Sequence, residues 1–202
     1  MTMKTKQELR GCLAAEKAQY LGTDKKKILQ MRYTCHKRYC LWKALRDFRM
    51  AQYYNGRRIN PESSRMERIA AKALFRYYDR KRNRSGAVAG VEIGLGSSVG
   101  EGLDLWHGSI VINGTLGDHC ILHGNNVIGN KGKNGHTETP VIGSGADIGA
   151  GAILIGSIQI ADDCKVGAGA VVTRSFVSPG SVLVGVPARA IEKKEEGVAA
   201  HG

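Results

Sequence analysis

Aliphatic residues recur every six positions through most of the second half of the chain, a period that neither an α-helix nor a β-strand produces. A hexapeptide period is typical of a parallel β-helix, in which three hexads close one coil of about 18 residues. The residues in phase are Ile93, Val99, Leu105 and Val111, then Leu116, Leu122 and Ile128, then Ile142, Ile148, Leu154, Ile160, Val166 and Val172. The pattern predicts a mostly β fold whose inward aliphatic side chains stack from coil to coil.

Composition changes near residue 86. Residues 1–85 hold 23 Lys and Arg against 7 Asp and Glu, a net charge of +16, whereas residues 86–202 hold 7 against 11. The second region also carries 24 of the 27 glycines. We therefore predict a basic α-helical region over 1–85, a β-helix domain over 86–192 and a flexible C-terminal tail over 193–202.

The basic region is predicted to form helices at 7–20, 25–53 and 62–83, with Asp24 as an N-cap and Pro61 just inside the third helix. Its dense Lys and Arg favour contact with an anionic membrane surface or an acidic polymer. A solvated helical cap over the open end of the β-helix explains the charge equally well. No nucleic-acid-binding motif accompanies it, so nucleic acid is a disfavoured partner.

Several classes of protein are excluded by what the sequence lacks. No stretch approaches about 18 consecutive apolar residues, and the N-terminus has no apolar signal core. The odd, scattered cysteines (Cys12, Cys35, Cys40, Cys120 and Cys164) fit free thiols in a reducing cytosol. We expect a cytoplasmic protein, free or peripheral at the inner membrane face, with no metal site.

One interruption of the repeat points to function. Ile128 and Ile142 are separated by 14 positions instead of six, and the extra residues fall in a polar, glycine-rich segment at 129–140. A loop that leaves a rigid scaffold commonly carries function. It is not a phosphate-binding P-loop, because Val127 and Asn134 stand where that motif needs glycine and Ser or Thr.

A candidate general base lies just beyond the inward Leu105. His107 should project from a corner of the coil, and Glu92, 15 positions earlier, should lie nearly one coil away and close in space. A carboxylate beside an imidazole fixes its tautomer and stabilises the imidazolium that forms when a hydroxyl is deprotonated. On spacing alone, a structural histidine remains the alternative.

An ordered set of motifs resembles the catalytic domain of serine acetyltransferases, and more closely the serine acetyltransferase-like O-acetyltransferases of polysaccharide gene clusters. The matching stretches are 92–93, 106–108, 110–113, 132–135 with Pro140, 148–152, 165–170 and 185–189. The resemblance covers about half of the chain and implies a left-handed β-helix. It implies acetyl-CoA as co-substrate, a homotrimer or a dimer of trimers, and CoA lying between neighbouring β-helices under the extra loop.

The resemblance also assigns residues. It makes His107 the general base and Glu92 the acid that orients it. Ala150 and Ala168, 18 positions apart, would stack on one edge where pantetheine approaches the backbone. The remaining cofactor-binding candidates are the cations Lys165, Arg174 and Arg189, which match positions near CoA and otherwise are ordinary surface charge.

Departures from the family bear on the acceptor. Trp106, Glu138 and Thr139 occupy positions where serine acetyltransferases typically place Asp, Arg and His. A zwitterionic amino acid needs those charges, whereas Trp106 can pack on a sugar ring. Asn134 and Glu138 can bind hydroxyls, and His136 would partly replace the missing histidine.

These residues together predict an acetyl-CoA-dependent O-acetyltransferase that acts on a sugar hydroxyl of a capsular polysaccharide or exopolysaccharide, by direct attack with His107 as base. Three alternatives stay open. The first is a serine O-acetyltransferase of cysteine biosynthesis. The second is a zinc β-helix enzyme such as a carbonic anhydrase, for which His119 and His123 are candidates without the expected spacing. The third is a non-catalytic nucleic-acid or membrane binder.

Overall fold

The computed structural model describes residues 5–132 and 138–191. Within them, four helices precede fifteen short strands. The helices are α1 (Lys6–Leu21), α2 (Lys25–Tyr33), α3 (Lys37–Ile59) and α4 (Arg65–Ala89). The strands are β1 (Val91–Ile93), β2 (Ser98–Val99), β3 (Asp104–Leu105), β4 (Ile110–Ile112), β5 (Thr115–Leu116), β6 (Ile121–Leu122), β7 (Val127–Gly129), β8 (Val141–Ile142), β9 (Asp147–Ile148), β10 (Ile153–Ile155), β11 (Gln159–Ile160), β12 (Lys165–Val166), β13 (Val171–Val172), β14 (Val182–Val184) and β15 (Arg189–Ile191).

The strands form a parallel β-solenoid of about five turns, as the six-residue period predicts. Every third strand joins the same sheet as far as β13, and β14 and β15 then both extend the third sheet. The three sheets run β1-β4-β7-β10-β13, β2-β5-β8-β11 and β3-β6-β9-β12-β14-β15. Only the last pair, β14 with β15, is antiparallel among the described strands. Three faces and three corners result, and the corners are where side chains can converge.

The core is a ladder of buried aliphatic side chains, with one correction to the predicted register. The inward position of the first sheet is occupied in successive coils by Ile93, Ile112, Ile128, Leu154 and Val172. Val111 was predicted to point inward, but it is 37% exposed, while its neighbours Ile110 and Ile112 are buried. The prediction failed because three consecutive aliphatic residues leave the phase of the repeat undefined.

The helical region differs from its prediction at two breaks. The helix expected at 25–53 is divided, because Cys35 takes a left-handed conformation with φ of 49° and α3 restarts at Lys37 behind the N-cap His36. The helix expected at 62–83 begins at Arg65 behind a Ser64 capping box, with Pro61 in the preceding turn. α4 then continues to Ala89, beyond the predicted boundary at 85, and the tail at 193–202 lies outside the described residues.

A buried arginine connects the helices to the first coil through an ion pair and hydrogen bonds. The fully buried guanidinium of Arg49 pairs with Glu16 at 2.7 Å and donates to the backbone carbonyls of Val99 and Gly100. The first coil has no preceding coil to accept or donate its ladder hydrogen bonds, and unpaired buried backbone groups are costly. Arg49 therefore caps the end of the solenoid as well as joining α1 to α3.

Two further side chains complete this cap. Gln52 donates to the carbonyl of Ser97 at 2.7 Å, and the hydroxyl of Tyr20 donates to the carbonyl of Leu103 at 3.1 Å. The same hydroxyl accepts from the backbone N–H of Leu105 at 2.7 Å.

None of the helices in the described ranges is long and apolar enough to span a bilayer.

Candidate active site

His107 lies at the corner between β3 and β4. The coil that contains this corner is one residue longer than a regular coil of 18 residues. Ile93 aligns with Ile112, 19 positions later, whereas Leu154 aligns with Val172, 18 positions later. The additional residue lies between Leu105 and Ile112. His107 is exposed at this corner.

The ring of His107 faces a lysine instead of the expected carboxylate. Its Nδ1 lies 2.8 Å from Nζ of Lys37, the first residue of α3. Glu92 lies on the exposed face of β1, and no hydrogen bond or ion pair joins it to His107 within the residues that the structure describes. The structure thus shows no direct bond between the proposed base and its orienting acid in the described residues, and the catalytic role of Glu92 stays a prediction.

Trp106, the residue before His107, is held in a defined orientation. Its Nε1 donates to Oδ2 of Asp104 at 3.1 Å, and its centroid lies 4.3 Å from that of His123. Nε2 of His123 in turn lies 2.7 Å from Oδ1 of Asp147. These contacts fix the indole while leaving 45% of the residue exposed.

A line of small residues runs from His107 along the same corner. The register of the third sheet stacks the residues two positions beyond each buried aliphatic side chain, namely His107, Gly124, Ala150, Ala168 and Gly185. A Cβ on Gly124 would lie 2.5 Å from the Cβ of His107, so glycine is required there. Ala150 and Ala168 are exposed. The corner therefore offers an open edge on which an extended chain could approach the backbone.

The three candidate cofactor cations occupy different places. Arg189 on β15 aligns with Val184, next to the far end of this edge. Lys165 on β12 lies beside Asp147 of β9. Arg174 follows β13 at a different corner, where its guanidinium lies 5.2 Å from the ring centroid of Phe176. Within one chain, Arg174 is not brought to the edge that carries the alanines.

The long loop also leaves from another corner. It joins β7 to β8, whereas His107 lies between β3 and β4. Glu138 is exposed and Thr139 is half-buried. The predicted acceptor residues Asn134 and His136 lie outside the described residues. A site that combined His107 with this loop would therefore use two different corners of the solenoid.

The thiols of the solenoid are poorly placed for acyl transfer. Cys120 and Cys164 are buried in its core, and burial raises the pKa of the Cys120 thiol to about 11. A protonated, buried thiol is a weak nucleophile at neutral pH. Within residues 5–132 and 138–191, no group of three His, Cys, Asp or Glu side chains converges as metal ligands.

Sequence reasoning did not assign Gly124 or Lys37 to this site, and it considered His123 only as a zinc ligand. Coil spacing could have found His123, which lies 16 positions after His107, and Gly124, which lies 17 after it. Lys37 carried no such signal, because 70 positions and two separate regions divide it from His107.

No family model matches the chain. Among curated proteins, it is 36% identical over 107 residues to a serine acetyltransferase of Synechococcus elongatus, covering 52% of this chain and 43% of that protein. It is 37% identical over 109 residues to one of Helicobacter pylori, covering 52% and 63% respectively. The chain thus spans about half of the length of these relatives.

Solved structures are similar over almost the whole chain. The serine acetyltransferase of Neisseria gonorrhoeae matches with a TM-score of 0.65 and 27% identity, covering 93% of this chain and 68% of that one. The soybean serine acetyltransferase complexed with serine matches with a TM-score of 0.66 and 27% identity, covering 91% and 69%. The solenoid matches the left-handed β-helix of these enzymes, and the similarity extends to the helical region.

Proposed function

From its likeness to serine acetyltransferases, we propose that the chain is an acetyl-CoA-dependent O-acetyltransferase with His107 as general base. The observation that carries the proposal is an exposed histidine at the head of an edge of small residues, on a β-solenoid whose curated relatives are serine acetyltransferases. The edge gives an acyl carrier room to lie against the backbone with its thioester near the imidazole.

L-Serine is the acceptor that we propose. The predicted polysaccharide acceptor finds no support in the comparisons, because the named relatives acetylate serine. The prediction gave too much weight to three substituted positions and too little to the overall similarity. A sugar hydroxyl is the second candidate, favoured by the fixed and exposed indole of Trp106, the residue before His107.

In the proposed reaction the acceptor oxygen attacks the thioester carbonyl directly. His107 takes the hydroxyl proton, a C–O bond forms, and the C–S bond to CoA breaks. The imidazolium then returns the proton to the departing thiolate, so the proton and electrons balance without a covalent enzyme intermediate. The high pKa of the buried Cys120 is consistent with a route that uses no thiol of the solenoid.

We propose that the active form is a trimer. The loop and His107 leave from different corners of the prism, and a three-fold axis would bring one corner of each chain against a different corner of its neighbour. Arg174, which lies on the loop's side of the prism, would then face the alanine edge of the adjoining chain. A membrane contact through the basic helices stays a prediction.

Thiol release from acetyl-CoA tests the proposal. Purified protein is incubated with L-serine or methyl glycosides, and the product is identified by mass. We expect release that depends on an added acceptor, with L-serine the best of them. If none of the acceptors causes thiol release, the proposed reaction is contradicted. A stable and active monomer in sedimentation would contradict an active site formed between neighbouring chains.

A further inference from the structure

We propose that Lys37 is a specificity-determining residue that selects acceptors carrying a carboxylate close to the hydroxyl that is acetylated. The inference rests on the proposed acetyl transfer and on His107 as its base. It assigns to the helical region a part in choosing the substrate.

Among the described residues, Lys37 differs from its neighbour Arg38 in having no acid that neutralises it. Arg38 donates to Oδ1 of Asp104 at 2.8 Å and to the carbonyl of Gln19 at 3.2 Å. Its guanidinium also lies 4.5 Å from the ring centroid of Tyr20. Lys37 is exposed and forms no ion pair within the described part of the chain. An unneutralised cation beside a candidate base is a ready partner for an incoming anion.

The contact with His107 also blocks the base until an anion arrives. At 2.8 Å, the ammonium of Lys37 donates to Nδ1, so the proton of the neutral ring lies on Nε2. Neither nitrogen is then free to take a proton from a hydroxyl. A carboxylate that binds Lys37 draws the ammonium away from Nδ1 and offsets its charge.

The position of Lys37 also compensates for the acidic residue that replaces an arginine in the loop. Glu138 stands where the resemblance places an arginine, and its exposed carboxylate cannot bind another carboxylate. Lys37 supplies a cation at the base from a different part of the chain. An amino acid and an acidic sugar share the required chemistry, because each carries a carboxylate near a hydroxyl.

Two matched pairs of acceptors separate charge from shape. L-Serine is compared with L-serinamide, and methyl glucuronoside with methyl glucoside, by thiol release from acetyl-CoA. We expect the wild-type protein to favour the carboxylate member of the pair that it uses by about tenfold to a hundredfold, the range that one hydrogen bond to a charged group supports. In Lys37→Met the preference should disappear, because the carboxylate member loses its cationic partner and the neutral member meets a base that Lys37 no longer occupies.

Two control variants accompany Lys37→Met. Lys37→Arg keeps a cation and should retain most of the preference. Lys26→Met removes an equivalent charge from an exposed position on α2 and should leave both members of each pair unchanged. Urea unfolding verifies that the three variants fold like the wild type.

A binding measurement keeps this inference separate from the proposed function. The imidazole nitrogen resonances of His107 are followed by NMR during titration with each acceptor. A shift with the carboxylate members that is absent in Lys37→Met supports the inference even if no acetyl transfer occurs. Equal turnover or equal binding of both members of a pair, or a preference that survives in Lys37→Met, overturns it. If neither turnover nor binding is found, both proposals fall.

Discussion

The helical region and the solenoid are stabilised by different means. The solenoid buries a repeated ladder of aliphatic side chains, each of which stacks on a residue in the adjacent coil. The helical region buries apolar side chains such as Leu45 and Phe48, and it also buries charge, with Arg49 and Glu16 paired at 2.7 Å and almost fully enclosed. In a repeated apolar core, each coil is stabilised by contacts with the adjacent coils. A buried ion pair stabilises the fold only when both partners and their hydrogen bonds are in place.

The two regions also divide the site between them. The solenoid provides His107, Trp106 and the edge of small residues, while the helical region places Lys37 on the imidazole. The cap that hides the end of the first coil thereby sets the charge at the candidate base. If the two proposals hold, chemistry on the solenoid and selection by the helices are separable by mutation.

The largest effect should come from removing the imidazole. His107→Ala should lower kcat about 10² to 10⁴-fold while the affinity for CoA stays near normal, because only proton transfer is lost. Steady-state thiol release and CoA titration measure the two quantities. His119→Asn, at another exposed turn of the solenoid, is the matched control. A near-normal kcat in His107→Ala would move the chemistry away from this corner.

The second largest effect should come from removing the buried cation Arg49, which connects the helical region to the solenoid. Arg49→Met should lower the free energy of unfolding by about 3 to 5 kcal/mol, because it leaves Glu16 buried and unpaired. Urea unfolding followed by circular dichroism measures the loss. Adding Glu16→Gln to the variant should restore part of it. A loss below about 1 kcal/mol would mean that the cap contributes little to the fold.

A bulkier side chain on the solenoid edge should obstruct the acyl carrier. Ala150→Leu should raise KM for acetyl-CoA about tenfold or more, since overpacking a close contact typically costs about 1 to 3 kcal/mol. Unfolding should be unchanged, because Ala150 is exposed. Ala73→Leu, at an exposed position of α4, makes the same change in the helical region and should leave KM unaltered. An unaltered KM in Ala150→Leu would remove this edge from the site.

The smallest effect should come from the surface cations of the solenoid. Arg174→Ala and Arg189→Ala should each weaken CoA binding about twofold to fivefold, the scale of an exposed ion pair. The difference should fade as salt is added. Calorimetric titration at low and high ionic strength measures it. Equal affinity at low salt would leave both residues as ordinary surface charge.

Prediction from sequence succeeded where neighbours in space repeat at fixed spacing. The solenoid and the stacking of Ala150 on Ala168 follow from the period of the repeat. It failed where the pattern is locally degenerate, as at Val111, or where a turn divides a run of helix formers, as at Cys35. The pairing of Glu92 with His107, inferred from a spacing nearly equal to one coil, stays a prediction.

The sequence by itself determined the repeat, the division of charge, the loop and the exposed histidine, because each is a property of local order along the chain. The tertiary structure alone decided which cation meets that histidine. Lys37 and His107 lie 70 positions apart, and their contact depends on where α3 begins and how Arg49 docks that helix on the first coil. Such a contact has no period or motif, because it results from the packing of two unlike regions.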